Sequence, residues 1–370
     1  MTSRAGRFGP ARAARTRGKH WGLPVNRIAF SAAVTLALTA MLSSAPASAQ
    51  FLRTFVSGLG SDLNPCTRTQ PCQTFAHAIT QTNAGGEIDV LDPGGYGPFT
   101  ITKSISIVND GVGTAGVKAA AGGIAITITA GATDTINLRG LTIEGAGVGL
   151  VGIHFLSGKS LTVQNCIVRN FTIDGIHFLP SAASSLSVSN TFVASNAGNG
   201  ISVLPSGAGA ITADFNRVET GNNGQSGILV QPTGSGAVAA IFNQVAADNN
   251  AGGGIDLSGG LSTGTISATV ADSVASNSAT PGTAGVSAST DMSHAPINLL
   301  VLRSVAANNN AGIAANGTGA TVLIGQSAMH GNTNGWFAGS GGVLQSYGDN
   351  KINGNTANET SPPAVTGGGK

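Results

Sequence analysis

A small residue followed by an aliphatic one recurs along this chain at a drifting interval of about 26 residues, and no other feature restricts its fold as much. Gly152-Ile153, Gly175-Ile176, Gly200-Ile201, Gly227-Ile228, Gly254-Ile255, Gly285-Val286 and Gly312-Ile313 follow one another at steps of 23, 25, 27, 27, 31 and 27 residues. Gly335-Trp336 extends the series by 23, and Gly123-Ile124 precedes it by 29. Two further columns share the drift. One is Val168, Val193, Val218, Val245, Val274 and Val305; the other is Asn170, Asn196, Asn222, Asn249, Asn277, Asn308 and Asn332. Self-similarity of this kind marks a stacked-repeat architecture.

Around the Gly-Ile step the pattern alternates, as in Ile153-His154-Phe155, Ile176-His177-Phe178 and Ile201-Ser202-Val203. Period two means a strand with one buried face. Similar alternations at Leu161/Val163 and Leu186/Val188 give each unit two or three short strands. No unit of this size buries its own apolar face, so successive units must stack, each coil adding ~4.8 Å. Asn and Gly suit the bends because both adopt left-handed backbone angles, and an Asn amide can also bond from coil to coil. Composition agrees: 55 Gly and only 9 % charged residues, against a norm of roughly 25 %, disfavour a helical bundle. The absence of a strict third-residue Gly period excludes collagen.

Residues 1–27 hold Arg4, Arg7, Arg12, Arg15, Arg17, Lys19 and Arg27 with no acid, and residues 28–42 are uncharged and largely apolar. Ala47-Ser48-Ala49 then precedes Gln50. Basic stretch, short apolar core and small-residue site together predict a signal peptide over 1–49 rather than a membrane span, which needs ~20 apolar residues. Beyond it the chain carries 11 Lys and Arg against 16 acids, a net charge of −5. With no basic run to neutralise phosphates, nucleic acid is excluded as a partner class. The expectation is an exported protein, extracellular, periplasmic or at the cell surface, with no transmembrane segment.

Cys66 and Cys72 flank a Pro-rich loop and predict a local disulfide. Metal ligation is the rival, but no His or third Cys stands at a zinc-like spacing, so no metal site is assigned. Cys166 lies in an apolar run and reads as a buried free thiol. Residues 74–82 predict a short amphipathic helix with Phe75, Ala78 and Ile79 on one face, covering the open end of the stack.

Two stretches carry a family resemblance: Gly60-Ser61-Asp62 through Pro71-Cys72-Gln73-Thr74-Phe75 to Ala78-Ile79, and Asp92-Pro93-Gly94-Gly95-Tyr96. Together with the repeat they make the chain resemble secreted right-handed parallel β-helix proteins of the pectate-lyase-like superfamily. The resemblance implies an all-β fold: a single right-handed solenoid of about eight or nine coils with a short N-terminal capping helix. The segments expected are a cap over 50–84, the β-helix over 85–355 and a flexible tail over 356–370.

The resemblance also implies polysaccharide as the ligand class. Hydrolases of the superfamily use clustered aspartates with Gly-His-Gly and Arg-x-Lys segments; residues 85–355 contain neither segment and no Asp-Asp pair, which argues against glycoside hydrolysis. The lyases use an acidic calcium cluster and a basic proton acceptor. Here the one local acidic group is Glu87, Asp89 and Asp92, beside the cap, where a turn and edge-charge role suits it better. Register puts His154 and His177 at one outward position in adjacent coils, in a column continuing as Ser202, Leu229, Asp256, Ser287 and Ala314. Arg169 and Asp174 lie in the same two coils. These four residues, His154, His177, Arg169 and Asp174, are the candidate catalytic set, able to move a proton at a uronate or to bind a metal; the competing reading is a solvated strand face. Asp291 and His294, in the longest inter-coil insertion, and Trp336, in the pair Trp336-Phe337 near the last coil, are candidate ligand contacts; the competing readings, which the residues favour, are a tolerated loop and a closure of the C-terminal end of the core. Glycan binding without turnover is the leading expectation. A uronate lyase, with calcium as its only implied cofactor, is the alternative, and a structural or adhesive spacer is the third.

Overall fold

A computed structural model describes residues 51–366; the predicted signal peptide over 1–49 lies outside them. The described chain is a right-handed parallel β-helix of about eleven turns with one short helix. Ten of its strands, one per coil, stack in a ten-stranded sheet running from Phe99–Ile101 to Asn334–Gly339. The remaining strands form a second, 21-stranded sheet that wraps two further faces of each coil.

The bend between those two faces is visible in Ser184–Ala194. Its first half pairs with Ser160–Gln164 and its second with Ile167–Arg169, turning at Asn190 with φ 46°. Equivalent positive-φ residues are Asn165, Arg217, Gln244, Asp272, Arg303 and Gln326. A second column of positive φ, at Asn170, Ser195, Asn222, Asn249, Asn277 and Asn308, turns each coil toward the ten-stranded sheet. The single asparagine column of the sequence therefore resolves into two adjacent ones. Beside the left-handed residues runs an inward ladder. Asn196 donates to Asn223 at 3.0 Å, Asn223 to Asn250 at 2.9 Å and Asn332 to Asn355 at 2.9 Å.

The Gly-Ile column holds throughout: Ile153, Ile176, Ile201, Ile228, Ile255, Val286, Ile313 and Trp336 are successive register partners. At its start the partner of Ile153 is Ile126, with Ile124 opposite Val151. The valine column does not hold. Val168 pairs with Val193, but Thr191 takes Val218, and Val274 and Val305 face outward at 43 % and 39 % exposure. Coil length changes from 25 to 27 residues there, two more residues lying between Val203 and Ile211 than between Phe178 and Ser184, so Val193 meets Thr220.

The stack is longer than the repeat suggests because its first coils lack the signature. Phe51–Val56, within the expected cap, already pairs in parallel with Thr82–Val90. The helix Phe75–Gln81 follows expectation: the Thr74 hydroxyl accepts from His77 N, and Phe75, Ala78 and Ile79 are buried. At the other end, the expected flexible tail is docked as far as Thr366. Ala357 bridges to Asn334, Ala364 bridges to Ser346, and Trp336 Nε1 donates to Thr360 O at 2.8 Å. Those backbone groups cover the last coil, which would otherwise be an open sheet edge.

Candidate functional site

The outward column of the ten-stranded sheet reads Thr100, Thr127, His154, His177, Ser202, Leu229, Asp256, Ser287, Ala314 and Phe337. Strand parity turns these side chains away from the core. The middle of the column is nonetheless recessed: Ser202 is fully buried and the His177 side chain is 19 % exposed.

His154 and His177 come together as expected, with ring centroids 5.1 Å apart at an interplanar angle of 75°. Asp174, 4 % exposed, joins them, its Oδ2 3.9 Å from His177 Nδ1. Asp174 is held by Asn199 N, donating to Oδ1 at 2.7 Å, and by the Ser202 hydroxyl, donating to Oδ2 at 2.8 Å. Burial lowers the pKa of both imidazoles; the neighbouring His177 charge lowers that of His154 further, while Asp174 pulls that of His177 back up. Both rings are therefore neutral at pH 7. His154 Nδ1 and both ring nitrogens of His177 are buried without a hydrogen-bond partner. Arg169 does not join this group. It lies on the other sheet, where its Nε donates to Glu144 at 2.8 Å. Arg169 and Asp174 share a coil, but the left-handed residue Asn170 turns the chain between them and separates their side chains.

A second group lies further along the column. Asp256 accepts from the Ser226 hydroxyl of the preceding coil at 2.5 Å and the Ser287 hydroxyl of the following coil at 2.6 Å. Gly253 makes this geometry feasible, since a Cβ there would stand 2.6 Å from Asp256 Oδ2. Burial pushes the Asp256 carboxyl up to about 6, against the lowering effect of the two serines. Beyond Ser287 the sheet opens into a cleft of about 260 Å³ lined by Asp256, Ser287, Asn310, Asn316, Asn334 and Phe337 among others. Phe337 is 43 % exposed and lies over Gly339, where a Cβ would meet its ring at 2.5 Å.

Of the pair Trp336-Phe337, it is Phe337 that stands at the cleft, while Trp336 closes the end of the core. Phe337 continues the outward column begun at His154, whereas Trp336 occupies the inward isoleucine position and packs against the core. Asp291 and His294 lie apart from the cleft lining and pair with each other at 2.6 Å. The Asp291 carboxyl is pushed down to about 2 by hydrogen bonds from Ser293 and His294. The acids near the cap are also engaged, Glu87 and Asp89 by Arg53 and Asp92 by Ser57 and Gly58. Cys66 and Cys72 form the expected disulfide. His77 stands with them within 4.8 Å, the one cluster of three potential metal ligands among the described residues. Cys166 is a buried free thiol, its pKa pushed up to about 11 by burial.

No family model and no curated relative matches the chain. Among solved structures it is similar to pectate lyase Pel9A, with a TM-score of 0.56 and 14 % identity over 87 % of this chain and 85 % of that one. It is also similar to the A-module of Azotobacter vinelandii mannuronan C-5 epimerase AlgE4, with a TM-score of 0.52 and 13 % identity over 77 % and 91 %. The AlgE6 A-module gives 0.51 and 14 % over 76 % and 89 %. Likeness at this identity concerns architecture, and it agrees with the strand order found here: the chain has the right-handed parallel β-helix fold of the pectate-lyase-like proteins.

Proposed function

We propose that this chain is an exported β-helix protein that binds polysaccharide along its ten-stranded sheet without turning it over. The observation that carries the reading is the recessed polar face from Asp174 and Ser202 through Ser226, Asp256 and Ser287 to the cleft at Phe337. Its open end offers the Ser287 hydroxyl, the Asn310, Asn316 and Asn334 amides and the exposed Phe337 ring, which suits a sugar chain. The names of the neighbouring structures, a pectate lyase and mannuronan epimerases, favour the same ligand class. Export is supported by the Cys66–Cys72 disulfide. Binding without turnover is favoured because Arg169 is bonded to Glu144 on another sheet, away from the His154–His177 pair.

One observation favours a second reading. Two neutral imidazoles with unpartnered nitrogens are competent proton acceptors, as a uronate lyase or epimerase requires. The two readings separate in a screen on polyuronides and neutral glycans, with and without calcium, following unsaturated product, new reducing ends and binding together. Binding without product is the expected result. Product that disappears in His154→Ala and His177→Ala establishes the second reading.

A further inference from the structure

We infer that the cleft between Asp256 and Phe337 takes a neutral, hydroxyl-rich glycan and discriminates against uronate polymers. This deepens the polysaccharide reading and rests on it. Charge is the deciding property. The ten strands that floor this face contain no Lys or Arg, and neither does the lining of the cleft. The one charged group lining the cleft is the Asp256 carboxylate; Asp174, further along the face, is buried, and burial lowers the pKa of the two histidines. A polyuronate brings one negative charge per sugar, and each would enter a recessed, cation-free surface facing like charge. Removing a carboxylate from water without a partner is strongly unfavourable.

A bridging cation does not rescue uronate binding. Asp174 and Asp256 belong to coils three steps apart, about 14 Å along the axis at ~4.8 Å per coil. Among the described residues, no group of three acidic or histidine ligands forms on this face. What the cleft does present is the repertoire for hydroxyls: the Ser287 hydroxyl, the Asn310, Asn316 and Asn334 amides, and the Phe337 ring for the C–H face of a sugar. Each amide both donates and accepts, as a hydroxyl does.

The test titrates the full chain by calorimetry against β-glucan, galactan, polygalacturonate and alginate oligosaccharides, each with and without calcium. Phe337→Ala and Ala314→Lys are run beside it. Ala314 lies between Ser287 and Phe337 in the outward column, so a lysine there places a cation in the cleft. A neutral glycan is expected to bind, and uronates to bind at least roughly tenfold more weakly. Phe337→Ala should weaken the neutral ligand about tenfold, and Ala314→Lys should narrow the gap between ligand classes. Uronate binding equal to or tighter than neutral binding, and weakened by Phe337→Ala, overturns this inference while leaving the polysaccharide reading intact. No binding by any glycan, or binding that Phe337→Ala leaves unchanged, overturns the placement of the ligand in this cleft and the neutral-glycan inference with it.

Discussion

His154 and His177 are register partners in successive coils, their rings 5.1 Å apart and nearly perpendicular, in a polar column that the same parity extends to Asp256 and Phe337. An edge-to-face pair of neutral rings is compatible with this spacing; two imidazolium ions there would repel.

Acid should therefore destabilise this end of the column. Both histidines have folded pKa values below the ordinary 6.5, so the native state disfavours the proton that the unfolded chain accepts. The stability this provides is present above about pH 6.5 and is lost as pH falls through the folded values. The double variant His154→Gln/His177→Gln should lose less melting temperature between pH 7.5 and 5.5 than the parent. An unchanged profile would refute the assignment of the acid sensitivity to this pair.

Asp256 should act in the opposite direction. Its folded pKa of about 6 exceeds the ordinary 3.8, so the native state takes up a proton more readily than the unfolded chain. Its contribution is most favourable below about pH 4 and is lost as pH rises through 6, by on the order of 3 kcal/mol. Asp256→Asn should raise the melting temperature at pH 7.5 relative to the parent and have little effect at pH 4. A variant equally destabilised at both values would show that the serine hydrogen bonds outweigh the burial cost.

Ile201→Asp should unfold or aggregate the protein. Ile201 is fully buried between Ile176 and Ile228, and a carboxylate in that aliphatic column has no partner. The cost exceeds roughly 4 kcal/mol. Soluble protein with a parental melt would contradict the register.

Removing residues 357–370 should uncover the last coil. Trp336 loses the Thr360 carbonyl that accepts its Nε1–H, and Ser346 loses its bridge to Ala364. Tryptophan emission should shift to the red and the melting temperature should fall, since an unpaired edge is left on the stack. Identical emission from the truncated chain would show that the docked tail does not shield Trp336.

The inward Gly-Ile column and the outward pairing of His154 with His177 are legible in the amino-acid sequence, because strand parity and a common period determine them. Phe337 is legible by the same rule: Trp336 continues the isoleucine position, so its neighbour must face outward. The valine column fails because a shared period without shared parity does not define a face. Val274 and Val305 occupy outward positions, opposite Ala246 and each other.

By itself, then, the sequence determined the solenoid, its capping helix, the Cys66–Cys72 bridge and the order of residues along the outward column. Tertiary structure decided what lies beside that column. It sent Arg169 to Glu144 on another sheet, brought Ser226 of the preceding coil onto Asp256, and folded the tail back onto Trp336. The physical reason is directional. Repeat period and strand parity fix positions along the stacking axis and even the recurrence of the bends, whereas neighbours around the coil depend on how each left-handed bend, at residues such as Asn170 and Asn190, aims the strands on either side of it.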